Sequence, residues 1–142
     1  MEHLVDAEIL MDFLAGDDLE YPIPVRMLYH GCDPLAVRLT FALPGDTPVT
    51  WYVARELLLE GLLRPAGEGD VRVLPAQSRH PDAVLIHVRV CEEEALFRTS
   101  VPPLLAFLDR TGMVVPVGRE DLHPCFQEHL DDELDAIIRT SL

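Results

Sequence analysis

The sequence brings a cysteine and two histidines close together in residues 123–129, where Cys125 and His129 stand four positions apart. Side chains at that spacing lie on one face of a helix, so this pair could ligate a metal ion together. A zinc site requires about three or four ligands with supporting hydrogen bonds, and no CxxC, HxxxH or HExxH pattern accompanies the pair. We therefore interpret the segment as the start of a helix with a buried cysteine and predict no metal site.

Other patterns that could carry chemistry are incomplete. The glycines of residues 67–70 precede a strand pattern, whereas a phosphate-binding loop places its glycines between a strand and a helix N-terminus. No Gly-x-Ser-x-Gly elbow is present, and no histidine has the spacing of a catalytic triad. The acidic runs at 92–94 and 131–133 are typical of turns and solvated helix faces. We predict no catalytic residue and no cofactor.

The charge of the chain indicates what it binds. Its formal net charge is -14, its eleven basic residues are all arginine, and they form no cluster. Such a field repels nucleic acid and anionic lipid and attracts a basic surface on a protein. We therefore expect protein partners and no nucleic acid. The absence of Lys and Asn, whose codons are AT-rich, indicates a GC-rich genome.

The length of 142 residues suits a single domain spanning 1–142. Three widely spaced cysteines, Cys32, Cys91 and Cys125, indicate no disulfide framework and a reducing cytosol. The N-terminus lacks the features of a signal peptide, and no stretch approaches about eighteen unbroken apolar residues. We expect a cytoplasmic protein that reaches a membrane only through a partner.

Alternating apolar and polar residues predict seven strands. The first carries Val5, Ala7, Ile9, Met11 and Phe13 on one face. Further strands are predicted at about 24–29, 37–41, 49–53, 70–75, 83–90 and 94–101, with turns at 33–34, 44–46 and 80–82. The short connections between the first four favour an antiparallel meander.

Three segments have helical spacing. A short helix is predicted at 55–63, and a second one opens at Pro102-Pro103 with an apolar face of Leu104, Leu105, Phe107 and Leu108. Gly112 is placed to cap that helix, and an amphipathic acidic helix is predicted at 126–138. The predicted order is ββββ-α-βββ-α-α, an α+β fold.

Five segments, in order along the chain, resemble the SsgA-like sporulation and cell-division family of actinomycetes. The first two are Tyr29-x-x-x-Asp33-Pro34-Leu35-Ala36-Val37 and Trp51-Tyr52-Val53-Ala54-Arg55-Glu56-Leu57-Leu58-x-x-Gly61. The others are Gly67-x-Gly69-Asp70-Val71-Arg72-Val73-x-Pro75, Phe107-Leu108-x-Arg110-Thr111 and Pro116-x-Gly118-x-Glu120, which precede the acidic terminal helix. The residues before Tyr21 are more acidic than the family pattern, which leaves the paralogue open.

The resemblance implies a whirly-like fold, similar to that of mitochondrial RNA-binding proteins, and a homotrimer. It implies a non-enzymatic adaptor at the cell septum that selects septum sites and recruits FtsZ, directly or with an SsgA-like paralogue. The alternatives are a whirly-type single-stranded nucleic-acid-binding regulator, which the charge disfavours, and an uncharacterised small-molecule enzyme. The family-motif residues proposed for interaction are Tyr29, Asp33, Pro34, Trp51, Arg55, Asp70, Arg72 and Arg110.

Two interpretations of Arg55, Asp70 and Arg72 stay open. They are surface recognition residues, or they form an ion network between the helix and the following strand, which we prefer. Trp51 is either a core residue or an interaction residue. We expect Gly61, Gly67 and Gly69 to serve backbone geometry at a helix end and a turn.

Overall fold

The computed structural model describes residues 4–16, 18–43, 45, 47–76, 82–90 and 92–120. Seven strands and two helices follow the predicted order. Their bounds are β1 (Leu4–Gly16), β2 (Leu19–His30), β3 (Ala36–Phe41), β4 (Val49–Ala54), α1 (Arg55–Gly61), β5 (Val71–Pro75), β6 (Ala83–Val90), β7 (Glu93–Ser100) and α2 (Val101–Val114). The predicted helix at 126–138 lies outside the described residues, as do parts of the turns at 44–46 and 80–82.

The predicted meander of β1 to β4 is confirmed, with each strand antiparallel to the next. β2 starts at Leu19, earlier than predicted, and includes Pro22 and Pro24. The Pro24 carbonyl accepts a hydrogen bond from the Ala42 N–H at 3.3 Å, so its missing N–H also faces β3. The residue pairing with β3 begins at Val25, so the proline stands at the end of that ladder, where a missing N–H disturbs the strand least.

One curled sheet contains all seven strands in the order β4-β3-β2-β1-β7-β6-β5. β1 joins the two groups of strands through Asp12 opposite Arg98 and Phe13 opposite Phe97. Phe41 on β3 and Phe97 on β7 stack at 4.3 Å between ring centroids. Their strands are separated by β2 and β1, and would stand about 14 Å apart in a flat sheet. The contact therefore requires a sheet rolled around its apolar face.

The core lies on the concave face of this sheet. Alternate residues of β1 point inward as predicted, with Val5 and Met11 fully buried. α1 packs mainly against β5, at Gly61, where a Cβ atom would overlap the Val73 side chain. Gly61 thus allows close packing of helix on strand, and our expectation that it serves only the helix end was too narrow. Gly67 has a φ of +97° in the following turn, as expected of a turn glycine.

α2 differs from its prediction in two places. It continues through Gly112 to Val114, and the extended Val115 ends it, followed by Pro116, which makes the prediction of a glycine cap wrong. Leu105, placed on the apolar face, is 40% exposed, whereas Leu104 is fully buried. The helix packs against β1 and β7 along a stripe too narrow to cover Leu105. Neither of the two described helices is long and apolar enough to cross a membrane.

Candidate functional site

Arg55, the first residue of α1, is a buried charge with only 1% of its surface exposed. Its Nη1 group donates to the Val115 carbonyl at 2.6 Å and to the Thr111 carbonyl and hydroxyl at 3.3 and 3.4 Å. The Val115 carbonyl lies just after α2, and the Thr111 carbonyl in the last turn of α2 also accepts a hydrogen bond from the Val115 N–H. A buried guanidinium requires such partners, so Arg55 joins the start of α1 to the end of α2.

Glu120 supplies the counter-charge. Its Oε1 atom lies 2.7 Å from Arg55 Nη2, and the Glu120 side chain is 18% exposed. Burial acts to raise the pKa of Glu120, but hydrogen bonds from Arg55 and from the backbone N–H groups of Glu120 and Gly118 outweigh it. The pKa of this carboxyl is therefore below its ordinary value, and the ion pair is formed at neutral pH.

Tyr29 lies beneath the same guanidinium, with the ring centroid 5.0 Å from the Arg55 Cζ atom. Its hydroxyl donates to the Pro34 carbonyl at 3.0 Å, which holds the turn between β2 and β3 against the strand. Burial raises the pKa of Tyr29 to about 12, against the opposing effect of Arg55. A desolvated contact between a cation and a ring of this kind contributes about 2 kcal/mol.

The Arg55 cluster comprises Tyr29, Pro34, Arg55, Thr111 and Glu120. The structure thus brings together three of the motif residues selected from the sequence. Thr111 and Glu120 belong to the family-motif segments, but they are not among the residues that the sequence led us to propose for interaction. A buried arginine requires hydrogen-bond acceptors and a carboxylate partner. Spacing along the chain does not reveal which residues supply them, so the sequence did not identify Thr111 and Glu120.

For Arg55 the surface-recognition interpretation is wrong, and the described residues show no ion network of Arg55 with Asp70 and Arg72; surface recognition by Asp70 and Arg72 stays a prediction. Arg55 is buried, so it is no surface recognition residue, while Asp70 and Arg72 are exposed. Among the described residues, Arg55 pairs with Glu120 and neither Asp70 nor Arg72 shares an ion pair with it. The reason is that the Arg55 guanidinium is engaged at the end of α2, where it donates to the Val115 carbonyl.

The remaining motif residues lie apart from the cluster. Asp33 is exposed in the turn after β2. Arg110 is exposed on α2, and its Nη1 group donates to the Asp6 carbonyl of β1 at 3.4 Å. Trp51 on β4 is partly buried and packs against the core. Its position is compatible with a core residue and with an interaction residue, so both interpretations stay open.

A groove of about 600 Å³ opens on the concave side of the sheet next to Trp51. Phe13, Phe41 and Phe97 form its base, Val49 and Trp51 form one wall, and Glu93 lies at its rim. The phenylalanine rings stack on one another, with Phe13 and Phe97 at 5.3 Å. We call this surface the aromatic groove; it suits apolar groups with a cation near the rim.

The convex face of the sheet carries most of its arginines in ion pairs. The arginine–carboxylate pairs there are Arg26–Asp6 at 2.5 Å, Arg98–Asp12 at 2.9 Å, Arg98–Glu20 at 2.8 Å and Arg89–Glu94 at 3.1 Å. The hydrogen bond from Arg26 also holds the pKa of Asp6 below its ordinary value. These arginines are neutralised by their neighbours, so the face presents no basic stripe for a phosphate backbone.

No group of three or more His, Cys, Asp or Glu side chains in the described ranges is arranged to hold a metal ion. Cys125 and His129, the pair considered from the sequence, lie outside those ranges.

Comparison with known proteins gives consistent matches. The family model described as "Streptomyces sporulation and cell division protein, SsgA" matches residues 23–120. The sporulation-specific cell division protein SsgB of Streptomyces coelicolor is 38% identical over 141 residues, 99% of this chain and 100% of the relative. SsgB of Thermobifida fusca is 37% identical over 130 residues, 89% of this chain and 94% of the relative.

Two solved structures share the fold. A structure described under "Mutations in SsgB correlate to longitudinal cell division during sporulation of Streptomyces coelicolor" superposes with a TM-score of 0.80 at 39% identity, covering 87% of this chain and 97% of the other. The SsgA-like sporulation-specific cell division protein of Thermobifida fusca gives 0.77 at 35% identity, covering 98% and 96%. The sequence, its motifs and its fold therefore agree that this chain belongs to the SsgA family of sporulation and cell division proteins.

Proposed function

We propose that the protein is a non-enzymatic adaptor in sporulation-specific cell division, which binds division proteins at the septum and recruits FtsZ. The observation that carries this proposal is the match over nearly the whole chain to relatives named sporulation-specific cell division proteins. The adaptor binds FtsZ directly or through an SsgA-like paralogue, reaches the membrane only through a partner, and assembles as a trimer.

The geometry supports binding rather than catalysis. The buried titratable residues of the Arg55 cluster are satisfied by one another, since Arg55 is paired with Glu120 and the Tyr29 hydroxyl is bonded to a carbonyl. The aromatic groove has an apolar base and offers no converging acid and base of the kind that proton transfer requires. A catalytic site would need such a pair in a sheltered cleft.

The charge of the surface supports a protein partner. The chain carries a net charge of -14, and the arginines of the convex face are largely paired with carboxylates. Both features disfavour single-stranded DNA and favour a partner with a basic surface.

Deletion of the protein in its source organism tests the role, with FtsZ carrying a fluorescent label during sporulation. We expect misplaced or missing septa and diffuse FtsZ, restored by the wild-type sequence. Normal septation in a strain that also lacks the SsgA-like paralogues would contradict the proposal.

Binding by the purified chain tests the mechanism. We expect capture of FtsZ or of an SsgA-like paralogue, a mass corresponding to a trimer in light scattering, and no retention of single-stranded DNA at moderate salt. A salt-sensitive affinity for single-stranded DNA, with no capture of division proteins, would favour the nucleic-acid-binding alternative instead.

A further inference from the structure

β4 is an end strand of the sheet, and in the described part of the chain its second edge faces no other strand. The Arg55 N–H, just after β4, donates toward the β3 side, to the Leu35 carbonyl at 2.8 Å. Backbone groups alternate sides along an antiparallel strand. The N–H and C=O groups of Thr50, Tyr52 and Ala54 therefore point away from β3, with no backbone partner among the described residues.

Among the described residues, nothing gives this edge the usual protection. Natural sheets guard exposed edges with charges, prolines, bulges or covering segments. The far edge of the sheet is covered in this way, because Ala66 pairs with the outer side of β5 through Val73 in two hydrogen bonds of 2.8 and 3.0 Å. β4, by contrast, reads Val-Thr-Trp-Tyr-Val-Ala, with neither a charge nor a proline.

Concave surfaces lie on both sides of the edge. Val49 and Trp51 form a wall of the aromatic groove. On the opposite face, Tyr52 and Arg38 line a smaller hollow of about 220 Å³, with the Arg38 Cζ atom 5.5 Å from the Tyr52 ring centroid. A strand added to an edge forms backbone hydrogen bonds and directs alternate side chains to the two faces. The edge and its two flanking hollows have the geometry that this mode of recognition uses.

Charge indicates the occupant. Glu93 lies at the rim of the aromatic groove, is exposed, and forms no ion pair with the residues that the structure describes. The chain as a whole is acidic, with a net charge of -14. A segment with a basic residue would be attracted.

We propose that the open edge of β4 is a strand-addition site for an extended segment of a partner protein. Apolar side chains of that segment enter the aromatic groove, a basic side chain faces Glu93, and polar side chains lie on the Arg38 side. The inference rests on the proposed protein-binding function and identifies the surface that performs it.

Proline substitution tests the edge directly. Tyr52→Pro removes an N–H that points away from β3, and it restricts Trp51 to the extended backbone that this residue already has. Tyr52→Thr is the matched control, because it removes the same ring while retaining the N–H and a high strand propensity. We expect Tyr52→Pro to capture purified FtsZ or the SsgA-like paralogue about tenfold more weakly than Tyr52→Thr does, since the two variants share the loss of the ring and differ in the N–H.

A charge variant tests the groove. Glu93→Gln should weaken binding and flatten its dependence on salt, because it removes the carboxylate that faces the basic residue. Glu68→Gln makes the same change in net charge at another exposed position and should leave binding and its salt dependence unchanged. If Glu93→Gln and Glu68→Gln changed binding equally, the result would contradict the placement of a basic partner residue opposite Glu93.

Amide hydrogen exchange uses the unmodified chain, so it tests whether a partner segment pairs with β4 even if Tyr52→Pro fails to fold. On addition of FtsZ or the paralogue, the amides of Thr50, Tyr52 and Ala54 should become protected. Protection of the same amides in the chain alone, rising with its concentration, would show that a second copy occupies the edge and would overturn the inference.

The remaining outcomes separate the inference from the function. Binding that is equal for wild type, Tyr52→Pro and Tyr52→Thr, with no new amide protection, would overturn the strand-addition site while the adaptor function stands. Failure of the wild-type chain to bind any division protein would overturn the adaptor function, and the inference that rests on it.

Discussion

Arg55 and Glu120 are 65 residues apart in the chain, yet their side chains meet at 2.7 Å. The contact joins the start of α1 to the segment after α2. Since Arg55 is 1% exposed, the pair is a buried ion pair whose partners depend on each other. Two of the five family-motif segments of this chain, at 51–61 and 116–120, thus meet in one interior contact.

Removing either partner should be costly. Arg55→Met keeps much of the side-chain volume but leaves Glu120 and the Val115 carbonyl unpaired, and we expect a loss of about 3–5 kcal/mol in the free energy of unfolding. Glu120→Gln keeps a hydrogen-bond acceptor and should cost less, about 1–3 kcal/mol. Urea denaturation of the two variants and of the double variant measures the coupling. Additive losses would contradict the pairing.

The stability should depend on pH in the acid range. The pKa of Glu120 is lowered from 4.5 in the folded protein, so its contribution is fully present above that value. It is lost as the pH falls through the lower folded-state pKa. The difference in unfolding free energy between wild type and Glu120→Gln should therefore shrink on acidification. A difference that stays constant down to the folded-state pKa would contradict an ionised Glu120.

Tyr29 should produce a second dependence at alkaline pH. Its pKa is raised to about 12 from 10, so the stability it contributes is complete below 10 and is lost as the pH rises toward the folded value. Tyr29→Phe should remove the contribution of Tyr29, one of three tyrosines, to the tyrosinate absorbance change in that range. The same variant loses the hydrogen bond to Pro34 and should cost about 0.5–1.5 kcal/mol at neutral pH.

Two helical glycines should respond in opposite directions to alanine. A Cβ at Gly61 would overlap the Val73 side chain, and we expect Gly61→Ala to lower the unfolding free energy by about 1–3 kcal/mol. Gly112 lies inside α2 with nothing within 4 Å of an added Cβ. Gly112→Ala should therefore stabilise the protein by about 0.5–1 kcal/mol. Thermal unfolding of Gly61→Ala and Gly112→Ala measures both changes. If both variants stabilised the protein, the result would contradict the close packing at Gly61.

Much of the fold was readable from local patterns. The burial alternation of β1, with Val5 and Met11 inward, follows from the two-residue period of any strand. The ends of α2 were less predictable: Gly112 suggested a stop, but burial of Thr111 and the bonds at Val115 extend the helix past it. Helix ends depend on what the last turn packs against, and that neighbour is distant in sequence.

The amino-acid sequence by itself determined the order of the seven strands and of the two helices that the structure describes, the acidity of the surface and the family, because side-chain period, net charge and motif order are properties of the chain alone. Only the tertiary structure decided that β1 pairs with β7, that Arg55 is buried against Glu120, and that β4 ends the sheet with an edge that no other described strand pairs. Those relationships join residues far apart in the chain. They depend on how the sheet curls around its core, and no local spacing encodes that curvature.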